Sequence, residues 1–242
     1  MKKKVLVLTL AVVFMVVFSS LVSGEKGEKP RIGVLRFTNH TAAGWWNGSV
    51  GQELQDMLAA ELVSTGAFQI LERKEIDAVM GEQDLGESGR ISPKTKAKMG
   101  KIKGAQYLIA GTVSASEEDT KGVGGGVAFK GISLGGSKNK SYLAVDVKVI
   151  DTESGEIVDA RTIEATAKGQ ALGAGLSIRN FSMNGGGYEK TPTGKAIRAC
   201  IVYIAEYLEC SMVKGKDDKC MQKWDAMDTK RKEKTKKSID LE

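Results

Sequence analysis

Histidine occurs once in this chain of 242 residues, at His40, and cysteine three times, at Cys200, Cys210 and Cys220. That scarcity removes most catalytic and metal chemistry. A zinc centre needs His, Cys or carboxylate ligands converging at short spacing, and cysteines ten residues apart beside a single histidine do not supply it. No cysteine lies near His40, which reads as a solvated loop residue. The acidic run Glu117, Glu118 and Asp119 stands at the mouth of a glycine-rich stretch, outside any catalytic spacing. Gly122 to Gly126 (GVGGG) lacks both the G-x-G-x-x-G register and a following helix, so it is no nucleotide loop. The expectation is a protein that is not an enzyme and carries no catalytic residue, cofactor or metal.

Charge of one sign is also missing. The 36 Lys and Arg face 30 Asp and Glu, and the first three lysines lie in what reads as a leader, so the mature balance falls to 33 against 30. A net charge near +3 is too even to argue for a nucleic-acid partner. Long apolar runs are confined to one place. Lys2 to Lys4 precede an apolar stretch from Val5 to Val17 and a small-residue step at Val22, Ser23 and Gly24, the layout of a secretory signal cut after Gly24. The stretch is shorter than the roughly 20 residues of a membrane-spanning helix, the competing reading. No cysteine follows the signal region, so attachment by a lipid is not expected. About 218 residues would remain, enough for one sizeable core or two small ones. Ten residues of continuous helix hold Cys200 and Cys210 about 15 Å apart, too far for a bridge. Cys210 can meet Cys220 if the chain reverses near Gly215, which would leave Cys200 a buried thiol.

What is present is periodicity. Arg31 to Phe37 (RIGVLRF) reads as a buried strand, and Val50, Leu54, Leu58 and Leu62 recur at helical spacing before a stop at Gly66. A short strand at Phe68 to Leu71, a helix over Lys74 to Gln83 and a third helical segment from Ser92 and Pro93 follow, and Gly104 to Ala115 returns to strand character. Leu143, Val145, Val147 and Val149 alternate with Ala144, Asp146 and Lys148, so Ser141 to Ala165 reads as a half-buried hairpin turning at Asp151 to Glu156. Ile197, Ile201, Ile204 and Leu208 stripe a last helix. The tail beyond Ser211, rich in lysine, reads as a solvated helix or as disorder, with a partner or an anionic membrane surface as the alternative. The fold class is α+β: an α/β-type domain whose mixed sheet is covered by helices.

Two spans do not fit a compact core, 114–142 and 164–191, about 29 and 28 residues long. Each is long enough for two membrane β-strands of about 10 residues and a turn. In the second, Leu172, Ala174, Leu176 and Ile178 alternate with Gly173, Gly175, Ser177 and Arg179. In the first, Val127 and Phe129 have the opposite parity to Ile132 and Leu134, a weaker pattern in which a bulge at one of its glycines would reset the face. The alternative is a pair of glycine-rich surface loops.

Arg31 to Asn39 (RIGVLRFTN), Glu53 to Gln83, Gly104 to Val113 (GAQYLIAGTV) and Leu143 to Val158 together resemble the curli-secretion channel family of the CsgG/HfaB type, over roughly Pro30 to Cys210. The resemblance implies a periplasmic α/β domain that assembles into a homo-oligomeric ring, each subunit lending two β-hairpins to one shared outer-membrane barrel. It further implies passive export of unfolded polypeptide with help from accessory periplasmic proteins. In that family the loop after the first strand carries aromatic and asparagine side chains lining a constriction; here Trp45, Trp46 and Asn47 occupy it. The other role for the tryptophans is to cap the domain's own core. The loop is shorter than in typical channel members. A periplasmic scaffold or protein-binding module that forms no pore is the competing function, favoured by the few aromatics in the two spans: Phe129, Tyr142, Phe181 and Tyr188.

Overall fold

A computed structural model of the chain describes residues 28–122, 128–129, 132–133, 136–172 and 191–238. The leader expected at 1–24 lies outside them, as do Val127, Leu134, Ala174, Leu176 and Ile178. In chain order the elements are β1 (Arg31–Val34), β2 (Thr38–Asn39), α1 (Val50–Thr65), β3 (Gln69–Leu71), α2 (Ile76–Glu87), β4 (Tyr107–Gly122), β5 (Ala128–Phe129), β6 (Ile132–Ser133), β7 (Gly136–Asp151), β8 (Ile157–Leu172), α3 (Pro192–Glu209) and α4 (Lys219–Lys237). One mixed sheet runs β3-β1-β4-β7-β8, with β2 continuing beside β4. β1 is parallel to β3 and β4, whereas β4, β7 and β8 are antiparallel.

The helical stripes pack as their spacing requires. Val50, Leu54, Leu58 and Leu62 of α1 are all buried, and Gly66 ends the helix in the left-handed region at φ 66°, where a Cβ would be strained. α3 starts with the Thr191 side chain accepting a hydrogen bond from the Gly194 N–H and with Pro192 at its first turn, a pairing that satisfies an orphan donor and pre-sets φ. Its stripe Ile197, Ile201, Ile204 and Leu208 lies in one core with Leu143, Val145, Val147 and Val149 of β7. Cys200 is buried there, its thiol donating to the Leu143 carbonyl, and burial pushes it up to about 12, so it is no nucleophile at neutral pH.

RIGVLRF does not run through as one strand. β1 ends at Val34 and pairing resumes at Thr38, so four steps of the chain from Val34 to Thr38 match three on β4 from Ile109 to Thr112, a one-residue bulge. The extra length turns Phe37 into the core, 1% exposed. Its N–H donates to the Gly51 carbonyl at 3.0 Å, and its ring lies on Gly111, where a Cβ would overlap it.

The third helix expected at Ser92 and Pro93 does not form. One turn closes there, with the Thr95 and Lys96 N–H groups bonded to the Ser92 carbonyl, and the chain then extends. Four lysines between 94 and 101 and a glycine at 100 leave no apolar stripe to hold a longer helix.

The larger difference concerns the long spans. β4, β7 and β8 are 16 residues each. At about 3.3 Å per residue each reaches about 50 Å. β4 pairs with β7 from Tyr107 opposite Asp151 to Gly122 opposite Ser137, and β7 with β8 as far as Gly136 opposite Leu172. Both legs of the first span and the opening leg of the second are therefore continuations of core strands. β5 and β6 form a separate antiparallel ladder in which Phe129 stands opposite Ile132.

The tail also differs from a freely solvated segment. After α3 a π-helical turn (Cys210–Lys214) leads to Gly215 at φ 91°, the chain reverses, and a disulfide joins Cys210 to Cys220. α4 then buries Met221 and Trp224. The Trp224 indole meets the Tyr207 ring edge-on at 5.7 Å, and Arg161 of β8 lies 4.8 Å over that ring while pairing with Asp225 at 2.6 Å. The Tyr207 hydroxyl donates to Asp159, and burial together with that carboxylate pushes its pKa up.

Gly111→Ala is expected to lower unfolding stability by about 1–3 kcal/mol, because the Phe37 ring must move. Gly48→Ala, with nothing within 4 Å of the added carbon, should be near neutral; urea unfolding of the two variants checks the contrast.

Candidate functional site

The segment between β2 and α1 looks flexible by composition, yet hydrogen bonds hold it along its length. Asn39 Oδ1 accepts from the Thr41 N–H at 2.9 Å and from the Thr41 hydroxyl at 2.7 Å, and Thr41 Oγ1 in turn accepts from the Ala43 N–H. The His40 N–H donates to the Val113 carbonyl of β4, leaving the residue itself exposed. Trp46 N–H closes a turn onto the Ala43 carbonyl. At the far end Asn47 Oδ1 accepts from the Ser49 N–H at 3.0 Å, and Arg36 donates to the Gly48 carbonyl. Such a loop holds its side chains in place.

Its three singled-out residues divide. Trp45 is 8% exposed and belongs to the core, with its indole N–H donating to Ser116 Oγ of β4 at 2.9 Å. Trp46 is half-buried and meets Trp45 edge-on, ring centroids 5.8 Å apart. Asn47 is exposed. Trp45 thus anchors the loop to β4 just beyond the register shift between Val113 and Ala115, and Trp46 and Asn47 are the pair with surface to offer. Neither brings proton-transfer chemistry. They offer an apolar face and an amide.

Two acidic side chains of the outer strands are each held by a hydroxyl. Thr193, in the first turn of α3, donates to Glu118 of β4, and the Tyr142 hydroxyl of β7 donates to Glu164 of β8 at 2.8 Å. Helix cover on the sheet ends about here, and the ladder continues through 119–122, 136–140 and 168–172. Among the described residues no group of three or more His, Cys, Asp or Glu side chains can hold a metal ion, and no helix is long and apolar enough to cross a membrane. Leu172 closes β8 in this continuation, and Phe129 and Ile132 lie in β5 and β6, a separate two-stranded sheet.

Sequence reasoning missed the docking of α4. Its signal was slight: Met221 and Trp224 at i, i+3 in an otherwise charged helix, next to a cysteine. The ring partners of Trp224, Tyr203 and Tyr207, lie on α3, and Arg161, which pairs with the neighbouring Asp225, is remote in sequence.

The model of the family "Curli production assembly/transport component CsgG" matches residues 15–239. No curated protein aligns significantly with the chain. Among solved structures, the hypothetical protein CT253 from Chlamydia trachomatis is 14% identical with a TM-score of 0.42, over 74% of this chain and 98% of that one. The PelC dodecamer from Paraburkholderia phytofirmans is 13% identical with a TM-score of 0.33, over 72% and 84%. Lipoprotein GNA1162 from Neisseria meningitidis is 13% identical with a TM-score of 0.33, over 73% and 98%.

Trp45→Ala should cost about 3–5 kcal/mol in unfolding stability, the range for emptying a buried aromatic site. Trp46→Ala, removing a half-buried ring, should cost about 1 kcal/mol or less. Equal losses in chemical denaturation would contradict the division between anchor and surface residue.

Proposed function

The chain belongs to the CsgG family, and on that premise we propose that it is one subunit of a homo-oligomeric outer-membrane pore that passes unfolded polypeptide. The observation that carries this reading is the three-stranded ladder of 16-residue strands running on past its helix cover. Beyond Val113 the outer edge of β4 has no partner strand among the described residues, and β8 is likewise an edge. Open edges cannot stand in hydrocarbon, where each unpaired N–H or carbonyl costs several kcal/mol. Neighbouring subunits in a ring, each adding strands from 114–142 and 164–191, would pair both edges and close one barrel.

Within this reading Trp46 and Asn47 form the constriction, repeated once per subunit, and Trp45 holds the loop on β4. Transport is passive diffusion of an extended chain, biased by confinement and by accessory periplasmic proteins. The leader at 1–24 directs export across the inner membrane of a Gram-negative cell, with the body in the periplasm and the arms in the outer membrane. No catalytic residue, cofactor or nucleic acid takes part.

A second reading, a periplasmic scaffold with no pore, draws on the burial of Trp45, which serves a core as well as it serves a collar. Conductance in planar bilayers separates the two. The wild-type protein should give discrete channels, and Trp46→Ala with Asn47→Ala should raise their conductance. Channels of unchanged conductance would contradict the collar, and no channels at all would contradict the pore.

A further inference from the structure

Six of the eight positions 230–237 in α4 are Lys or Arg, with Glu233 the one acid among them. Arg231 and Lys232 are turned back on Asp228, each at 2.7 Å. Burial would raise the Asp228 carboxyl, but hydrogen bonds from Lys232 and Arg231 outweigh it and hold it below its ordinary range. Lys230, Lys234, Lys236 and Lys237 make no ion pair among the described residues. A run like this on a free tail is only a solvated tail, but α4 is fixed. The Cys210–Cys220 disulfide, the buried Trp224 and the Arg161–Asp225 pair set its direction across β8.

Its basic half comes to rest where the sheet leaves its helix cover. Arg231 and Lys234 border a cleft of about 560 Å³ with Lys140 and Tyr142 of β7 and Glu117 and Glu164 across from them. Glu164 is engaged by the Tyr142 hydroxyl. At that level and just beyond, lysines stand opposite lysines in the ladder: Lys140 opposite Lys168, and Lys121 opposite Lys138, with Asp119 opposite Lys140 as the one acid in these pairings. Lys140 of β7 and the basic end of α4, remote from each other in sequence, therefore meet at one height, beside Glu117 and Glu164.

We propose that the basic end of α4, with Lys140 of β7 beside it, forms a surface for the phosphate headgroups of anionic lipid, seated on the periplasmic leaflet of the membrane that the arms enter. This rests on the pore reading for the position of the bilayer. The lipid is the occupant because the basic level coincides with the height at which the strands pass beyond their helices, and because a bilayer presents phosphates as a plane that a ring of such surfaces meets all at once. Each basic side chain near an anionic surface adds roughly fivefold to partition, within a Debye length of about 10 Å at ordinary salt.

The test is vesicle co-sedimentation of the full-length protein with phosphatidylcholine alone and with phosphatidylcholine mixed with phosphatidylglycerol. Wild-type protein should favour the mixed vesicles by about tenfold or more, and added salt should erase the preference. A variant with Lys230, Lys234, Lys236 and Lys237 changed to Gln should lose it. A charge-matched control with exposed Lys29, Lys94, Lys98 and Lys101 changed to Gln should keep it. Equal wild-type binding to both vesicles, or equal loss in both variants, overturns the proposal. So does abolition of the preference by inorganic phosphate at matched ionic strength, which would assign the site to a free anion. The pore reading is scored separately, from channels in neutral bilayers. Channels without lipid preference defeat this proposal alone, whereas lipid preference without channels defeats the pore and leaves the surface as a peripheral contact.

Discussion

A strand needs partners on both sides and cover on its faces, and β7 shows how far this chain goes to meet the first need. It lies between β4, paired from Ser137 to Asp151, and β8, paired from Gly136 to Ile150, in ladders interrupted by one register shift on each side. At its Asp151 end, cover comes from α3 over Leu143, Val145, Val147 and Val149. At its Gly136 end the same three strands continue past the last helix. Among the described residues, pairing gives the central strand partners on both sides and its two neighbours a partner along only part of their outer edges. Under the proposed reading, copies of the same chain supply the partners that the outer edges lack among the described residues.

The rest of the domain can be read as bracing for that ladder. Phe37, pushed inward by a one-residue bulge, seats on Gly111 and so locks the start of α1 against β4. Trp45 reaches β4 again at Ser116, a little further along. On the other side of the sheet order, α4 crosses β8 and holds it through Arg161 and Tyr207, with a disulfide fixing the hinge. The two outer strands of the ladder are therefore each tethered to the body before they leave it. That placement puts Trp46, Asn47 and the basic end of α4 near the exit, where a pore and a membrane surface would need them.

The elements that could be read in advance are those whose signal is local. Stripes such as Val50, Leu54, Leu58 and Leu62, or the alternation from Leu143 to Val149, report a buried face through spacing alone, and the reversal at Gly215 made the Cys210–Cys220 bridge conceivable. The misread places depend on distant partners. Ser114 to Glu118 carries no apolar alternation, so its continuity with β4 is visible only once Ser141 to Leu143 stand opposite. Trp45 sits in a sequence of turn-forming residues, and its burial depends on a serine 71 positions away. Met221 and Trp224 are two apolar residues in a charged helix, and their worth depends on a tyrosine face contributed by α3. A Ser-Pro start suggested a helix at 92 because a start signal is local, while the absence of anything for that helix to pack on is not.

The central claim is that the ladder's open edges are closed by copies of the same chain in a membrane. Its most direct measurement is the mass of the particle extracted by mild detergent from washed outer membranes of a Gram-negative host expressing the full-length chain. A ring predicts a particle many times the 25.9 kDa of one subunit. Recovery of a monomer or dimer with the soluble periplasm would contradict it.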